Sequence, residues 1–359
     1  MNAENKNWLF VKIYTDRGIY GWGEGSLEGQ EKAVEQAIQI FGERIIGEDP
    51  RRIERLWQVL YRHGFWRGGI ILNSALGAID IALWDILGKF LGCPIYQLFG
   101  GQIRKKIRAY THVKDAEHAT KLKNSGFTAL KAGGWPDQQY HLWDETTLRD
   151  HILSIQSVLG KSVDLIFENH GISSPSRAAR QISSIDDLNL LWFEEPTPPD
   201  NLDALARVRE NKFKTDLAAG ERLFTRWGFR RLIERQLVDI IQPDVIHCGG
   251  LSEIRKIASM AETYYIKLAP HNPRGPIATA ASLHLCSTIP NFLILEHLQS
   301  EPWFRKVQKE PIKIDSGYFE IPPKPGLGID LDETVILSNP YKAITYKGAF
   351  YGDGGIADV

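Results

Sequence analysis

Three short apolar runs, each closing on an acid, constrain this chain more than anything else in it. They are Leu165-Ile166-Phe167-Glu168, Leu191-Trp192-Phe193-Glu194 and Leu217-Ala218-Ala219-Gly220-Glu221. The acids recur at intervals of roughly 25 residues, about one strand-loop-helix-loop unit. The same rhythm continues through Asp244, His271 and Glu296. A charged group at the end of each successive buried strand is the pattern of a (β/α) barrel with its site at the strand C-termini.

The flanking sequence fits that frame. Ile107 to Tyr110 and Phe127 to Lys131 read as the first two barrel strands. The three acids end the third to fifth, and Val238 to Gln242, Tyr265 to Ala269 and Phe292 to Glu296 supply the sixth to eighth. Helical patterns fill the gaps, for example Asp203 to Glu210 and Ser252 to Glu262. Before the barrel, Trp8 to Thr15 and Ile19 to Glu24 form a hairpin around Asp16-Arg17-Gly18. Helices follow at Glu31 to Phe41, Pro50 to Tyr61 and Asn73 to Leu91, the last stopped by Gly92. Gly100-Gly101 marks the boundary. The expected division is an α+β capping domain over 1–103 and a barrel over 104–313. The Pro/Gly-rich tail, 314–359, is expected to return to the capping domain.

Composition excludes several classes. A formal net charge of −1 offers no electrostatic footprint for nucleic acid or an anionic membrane. No run approaches 18 consecutive apolar residues, so no membrane span is expected, and the polar start shows no signal peptide. Three scattered cysteines fit a reducing compartment, so a cytoplasmic location is expected.

Three acids aimed at one point repel one another unless a cation neutralises them. Hard carboxylate oxygens favour Mg²⁺, and with no thiol or imidazole in the trio zinc fits less well. Glu168, Glu194 and Glu221 are therefore the metal-ligand candidates. Asp244 and His271 end neighbouring strands, placing a carboxylate where it can orient an imidazole and raise its basicity. His170, two residues past Glu168, shares its face of the strand and is a candidate second acid–base group. Glu296 either hydrogen-bonds a developing enolate oxygen or pairs with a lysine or arginine. Lys131 either meets a substrate carboxylate or bridges to Glu168.

The chain resembles the enolase superfamily in its mandelate racemase-type subgroup, and within it the galactonate dehydratase-like sugar-acid dehydratases. The carrying stretches are GWGEGSLEG at Gly21, FWRGG at Phe65, SALGAIDIALWDILGKFLG at Ser74, WFEEP at Trp192, AGERL at Ala219, QPDVIHCGG at Gln242, APHNPRGP at Ala269 and LEH at Leu295. The resemblance implies an α/β fold, a modified (β/α)7β TIM-type barrel under an α+β capping domain. It places Glu168, Glu194 and Glu221 on the Mg²⁺ ligand positions and Asp244 and His271 on the general-base dyad. Glu296 falls on the acid that contacts the substrate carboxylate, and His170 on the dehydratase general acid. It also implies a symmetric homo-oligomer acting on a small sugar acid.

The implied reaction is a hydro-lyase step. His271 removes the C2 proton, Mg²⁺ and Glu296 stabilise the ene-diolate, and His170 protonates the departing 3-hydroxyl to leave a 2-keto-3-deoxy acid. Capping segments near Trp22 and Phe65-Trp66-Arg67 are expected over the site, with Arg67 or Arg274 on distal hydroxyls. Epimerisation or cycloisomerisation, and a non-catalytic sugar-acid binder, are the alternatives. Three departures bear on the choice. Glu168 stands where the family usually has Asp, Lys131-Ala132-Gly133 lacks the second lysine of a racemase pair, and the chain begins about one strand later than its relatives.

Overall fold

The structure, a computed structural model, describes residues 1–134, 143–298, 302–344 and 348–358. Eight parallel strands form the barrel: β3 (Lys106–His112), β4 (Ala129–Gly133), β5 (Asp164–Glu168), β6 (Trp192–Glu194), β7 (Leu217–Ala219), β8 (Ile240–Ile241), β9 (Lys267–Leu268) and β10 (Leu295–Glu296). β10 pairs with β3, and Leu268 bridges to Phe292 just before β10, so the sheet closes on itself. Seven helices make the crossovers: α5 (Ala116–Asn124), α6 (Glu145–Leu159), α7 (Pro175–Ile185), α8 (Leu202–Arg209), α9 (Thr225–Glu234), α10 (Leu251–Glu262) and α11 (Pro276–Cys286). This is the (β/α)7β arrangement.

Alternation along the strands sorts the chemistry. Tyr110, Ala129, Ile166, Trp192, Ala218, Ile240, Ala269 and Ile294 pack as one buried apolar layer inside the barrel. Side chains two residues on share a face of a strand. The next layer toward the C-terminal mouth therefore holds His112, Lys131, Glu168, Glu194, Gly220, Gln242, His271 and Glu296. Apolar packing below fixes the height at which the polar ring sits.

The capping domain comprises β1 (Phe10–Tyr14), β2 (Tyr20–Glu24), α1 (Glu31–Glu43), α2 (Ile53–Arg62), α3 (Ile70–Leu91) and α4 (Ile95–Leu98). β2 lies directly on α3: a Cβ at Gly23 would stand 1.9 Å from the Ala78 carbonyl oxygen, so glycine is needed there. The sequence shows no run of 18 apolar residues. Even so, α3 is long and apolar enough to cross a membrane by length and hydropathy. It is 72% buried over that window and serves as the central helix of this domain. A cavity of about 690 Å³ lies between β1, α1 and α3, away from the barrel mouth.

Acids of the capping domain fasten it to barrel helices at the mouth. Glu24 accepts the N–H groups of Gly275 (2.7 Å) and Ala278 (3.0 Å) at the start of α11. Asp80 accepts Ser252 N–H (2.9 Å) and its hydroxyl (2.5 Å) in the first turn of α10. A carboxylate at a helix N-terminus satisfies orphan donors and meets the positive end of the dipole. These anchors seat the domain over the loops that follow β8 and β9.

The tail divides its contacts. β11 (Ile314–Asp315) and β12 (Tyr318–Glu320) form a hairpin, and β12 pairs antiparallel with Lys106 to Arg108 of β3. It stays with the barrel because β10 covers only Ala109 and Tyr110, leaving that edge open. Beyond it the chain reaches the capping domain: Leu327 N–H donates to Asp85 (2.8 Å), and Asp330 accepts from Tyr20 (2.9 Å) and Trp22 (2.7 Å).

Candidate active site

Glu168 and Glu194 end β5 and β6, with Ile166 and Trp192 beneath them in the apolar layer. Glu221 lies two residues past β7, on the turn made by Gly220. One carboxylate oxygen from each of the three lies within 4.8 Å of the other two. Glu168 and Glu194 are wholly buried, and burial with the neighbouring Glu168 charge pushes Glu194 up to about 7. Burial and the charges of Glu195 and Glu168 raise Glu221 well above the usual carboxylate range. Glu221 Oε2 is buried without a hydrogen-bond partner. An all-oxygen donor set, short of positive charge and holding an orphaned oxygen, fits a hard divalent cation.

Lys131 is the fixed cation of this cluster. Its Nζ lies 3.1 Å from Glu168, 2.9 Å from Glu194 and 2.9 Å from Glu296. Of the two roles open for Lys131 in the sequence, the structure shows the ion pair. Glu296 likewise resolves to pairing. Its Oε1 takes both Lys131 and His112 Nε2 (2.6 Å), and its Oε2 takes Asn272 N–H (2.9 Å). Burial alone would raise Glu296, but Lys131 and His112 outweigh it and hold the group well below the usual range. An ionised Glu296 accepts hydrogen bonds and donates none.

Asp244 and His271 do meet. His271 Nδ1 lies 2.9 Å from Asp244 Oδ2, leaving Nε2 toward the acids, 3.7 Å from Glu221 and 4.0 Å from Glu296. Asp244 Oδ1 accepts Ile246 N–H (2.8 Å) and His247 N–H (3.3 Å). Against the cost of burial, the Arg274 charge and the His271 hydrogen bond hold Asp244 well below the usual range.

His170 occupies a left-handed backbone position, φ 49°. Its N–H donates to Glu168 Oε1 (2.8 Å) and its carbonyl accepts from Arg222 (2.8 Å). Arg222 also forks onto Glu195, at 3.0 and 2.7 Å, so one guanidinium ties the turns after β5, β6 and β7 together. Burial and then the Lys131 charge push His170 down to about 3, making it neutral in the free protein. The extra methylene of Glu168 is accommodated at Gly134 (φ +71°). A Cβ there would come within 3.2 Å of Glu168 Cγ and of His170 Nε2.

Of the expected substrate contacts, Trp22 and Arg274 are engaged by protein groups, and Arg67 is exposed. Trp22 is 3% exposed in β2, and its indole N–H is spent on Asp330, so it anchors the tail. Arg67 is exposed, its guanidinium 5.4 Å from the Tyr61 ring centre, in the loop with Phe65 and Trp66, which are 89% and 84% exposed. Arg274 is buried and engaged by Asp244 (2.9 Å), His247 (2.8 Å) and Glu28. The sequence reading missed His112 and His247. His112 was accessible to it: ending the first strand at Tyr110 stops one inward position short.

A closed (β/α)7β barrel, with a carboxylate trio that fits a metal ion and an Asp–His pair at its capped mouth, has the architecture of a barrel enzyme. The comparisons narrow that class. Residues 2–100 match the mandelate racemase/muconate lactonizing enzyme N-terminal domain, and 114–335 match the enolase C-terminal domain-like family. The chain belongs to the mandelate racemase/muconate lactonizing enzyme family of the enolase superfamily. It is 37% identical to a D-galactonate dehydratase of Ralstonia pickettii, covering 98% of this chain and 96% of that one. It is 36% identical to a D-galactonate dehydratase of Cronobacter sakazakii with the same coverage. An enolase from Agrobacterium radiobacter, solved with Na and L-malate bound, superposes with a TM-score of 0.93 at 29% identity, over 100% of this chain and 97% of that one.

Proposed function

We propose that this protein is a hydro-lyase. It dehydrates a sugar acid, an aldonate of the galactonate type, to the 2-keto-3-deoxy acid with Mg²⁺ as its cation. The observation that carries this reading is the dyad's direction: His271 Nε2 faces Glu221 and Glu296 while Asp244 holds Nδ1. The galactonate dehydratases among its relatives support the substrate class.

Glu168, Glu194 and Glu221 would hold the cation, which supplies charge neutralisation and Lewis-acid polarisation of the substrate carboxylate. His271 Nε2 takes the C2 proton, and Asp244 stabilises the imidazolium that forms. The electron pair left at C2 moves into the carboxylate group, beside the fixed charge of Lys131. Glu296 contributes by holding Lys131 at that charge, since an ionised carboxylate cannot itself donate to it. Expulsion of the 3-hydroxyl takes up one proton from His170, and the resulting enol becomes the ketone. His170, neutral in the free protein, has to carry that proton in the substrate complex.

The test is a panel of aldonic and aldaric acids with Mg²⁺, scored for 2-keto acid and for loss of water. The reading expects a 2-keto-3-deoxy product from wild type and none from His271→Asn. A C2 epimer formed without loss of water would replace it with the epimerase reading.

A further inference from the structure

We propose that Arg274 is a positioning residue that makes the capping loop between β2 and α1 part of the support for the Asp244–His271 dyad. Each nitrogen of its guanidinium group has a different partner. Nε donates to Asp244 Oδ2 (2.9 Å), Nη2 meets His247 Nε2 (2.8 Å), and Nη1 pairs with Glu28 of the capping loop. Asp244 Oδ2 is shared with His271 Nδ1, and Oδ1 is held by two backbone N–H groups. The carboxylate cannot turn without breaking at least one of these bonds, so the orientation of His271 depends on Arg274.

The polarity of the network is determined by its ends. Arginine only donates, so His247 Nε2 accepts and its Nδ1 carries the hydrogen. That N–H meets Ser74 Oγ at 2.7 Å, and the Ser74 hydroxyl passes on to the Ile70 carbonyl at 2.6 Å. Burial keeps His247 neutral, down to about 4, as this chain requires. Glu28 and Ser74 belong to the capping domain, and Asp244, His247 and Arg274 to the barrel. The loop leaves from Glu24, which binds Gly275 N–H beside Arg274. Arg274 thus stands between two carboxylates, Asp244 of the barrel and Glu28 of the capping loop. Seating of the loop and alignment of the base form one mechanical unit.

Hydrogen exchange on Glu28→Gln and Arg274→Met tests this without reference to substrate. Both variants are expected to exchange faster in residues 25–30 and in 244–247, with α6 unchanged. Faster exchange only in the mutated segment would overturn the proposal, whether or not the dehydratase reading holds. The kinetic arm rests on that reading and uses an acid that wild type dehydrates. Arg274→Met should lower kcat by on the order of 100-fold, as a misaligned base does, with KM nearly constant. The double variant should be no worse than Arg274→Met alone, and Glu28→Asp should recover part of the Glu28→Gln loss. Additive losses, or a change confined to KM, would contradict the coupling. Arg274→Lys replaces Arg274→Met in the cycle if the methionine variant does not fold.

Discussion

Replacing Lys131 with methionine removes the cation that contacts three buried carboxylates. Its Nζ stands within 3.1 Å of Glu168, Glu194 and Glu296, and the lysine is 2% exposed. Leaving buried partners uncompensated costs about 3–5 kcal/mol. The loss should depend on pH in a defined sense. Glu194 is raised from 4.5 to about 7 even with Lys131 present, so the folded state holds a proton that the unfolded chain releases. Stability from this group is present at low pH and falls as pH rises from 4.5 through 7. Without Lys131 that window extends upward, so the deficit should be larger at pH 8 than at pH 6. The assay is urea unfolding of metal-stripped wild type and Lys131→Met at both pH values, repeated with Mg²⁺. Mg²⁺ should restore more stability to the variant than it adds to wild type. Equal midpoints for the two proteins at pH 8, or a larger deficit at pH 6, would refute the charge-balance argument.

Glu194→Gln should abolish the rise in melting temperature on adding Mg²⁺; a persistent rise would put the cation elsewhere. His112→Phe removes a donor from ionised Glu296, a bond worth about 1.5–3 kcal/mol, and should lower kcat more than tenfold; unchanged kcat would exclude His112 from the active machinery. Trp22→Phe should cost about 0.5–1.5 kcal/mol by removing the indole donor from half-buried Asp330, while leaving KM untouched; a raised KM would return Trp22 to the substrate. Gly134→Val combines a left-handed position with contact on Glu168 and His170, so weaker Mg²⁺ binding by calorimetry is expected, and wild-type affinity would show that the space is not needed.

The barrel was legible because its signal is local. Apolar runs ending on Glu168, Glu194 and Glu296 carry both the strand and the inward position of its last residue, since period-two alternation needs no partner to define it. Asp244 and His271 were legible for the same reason, as the ends of neighbouring strands. Arg274 was not. Its sequence neighbours place it in a loop at the mouth, where an open guanidinium is expected, but its partners Glu28 and Asp244 are distant in the chain. Trp22 misled likewise: a tryptophan in a capping hairpin looks like a lid, and only folding reveals Asp330 at its indole nitrogen. The ionisation of Glu296 depends on Lys131 and His112 from two other strands, a long-range balance that no single segment carries.

The fates of the C2 proton and the 3-hydroxyl of a sugar acid decide between dehydration and the other outcomes. Purified protein with Mg²⁺ and galactonate in deuterated water, followed by proton NMR and mass spectrometry, reads both at once. Wild type is expected to form a 2-keto-3-deoxy acid that has lost one water and carries a solvent deuteron at C3, and His271→Asn to form none. Intact substrate across the aldonate panel, or product formed equally by His271→Asn, would contradict this expectation.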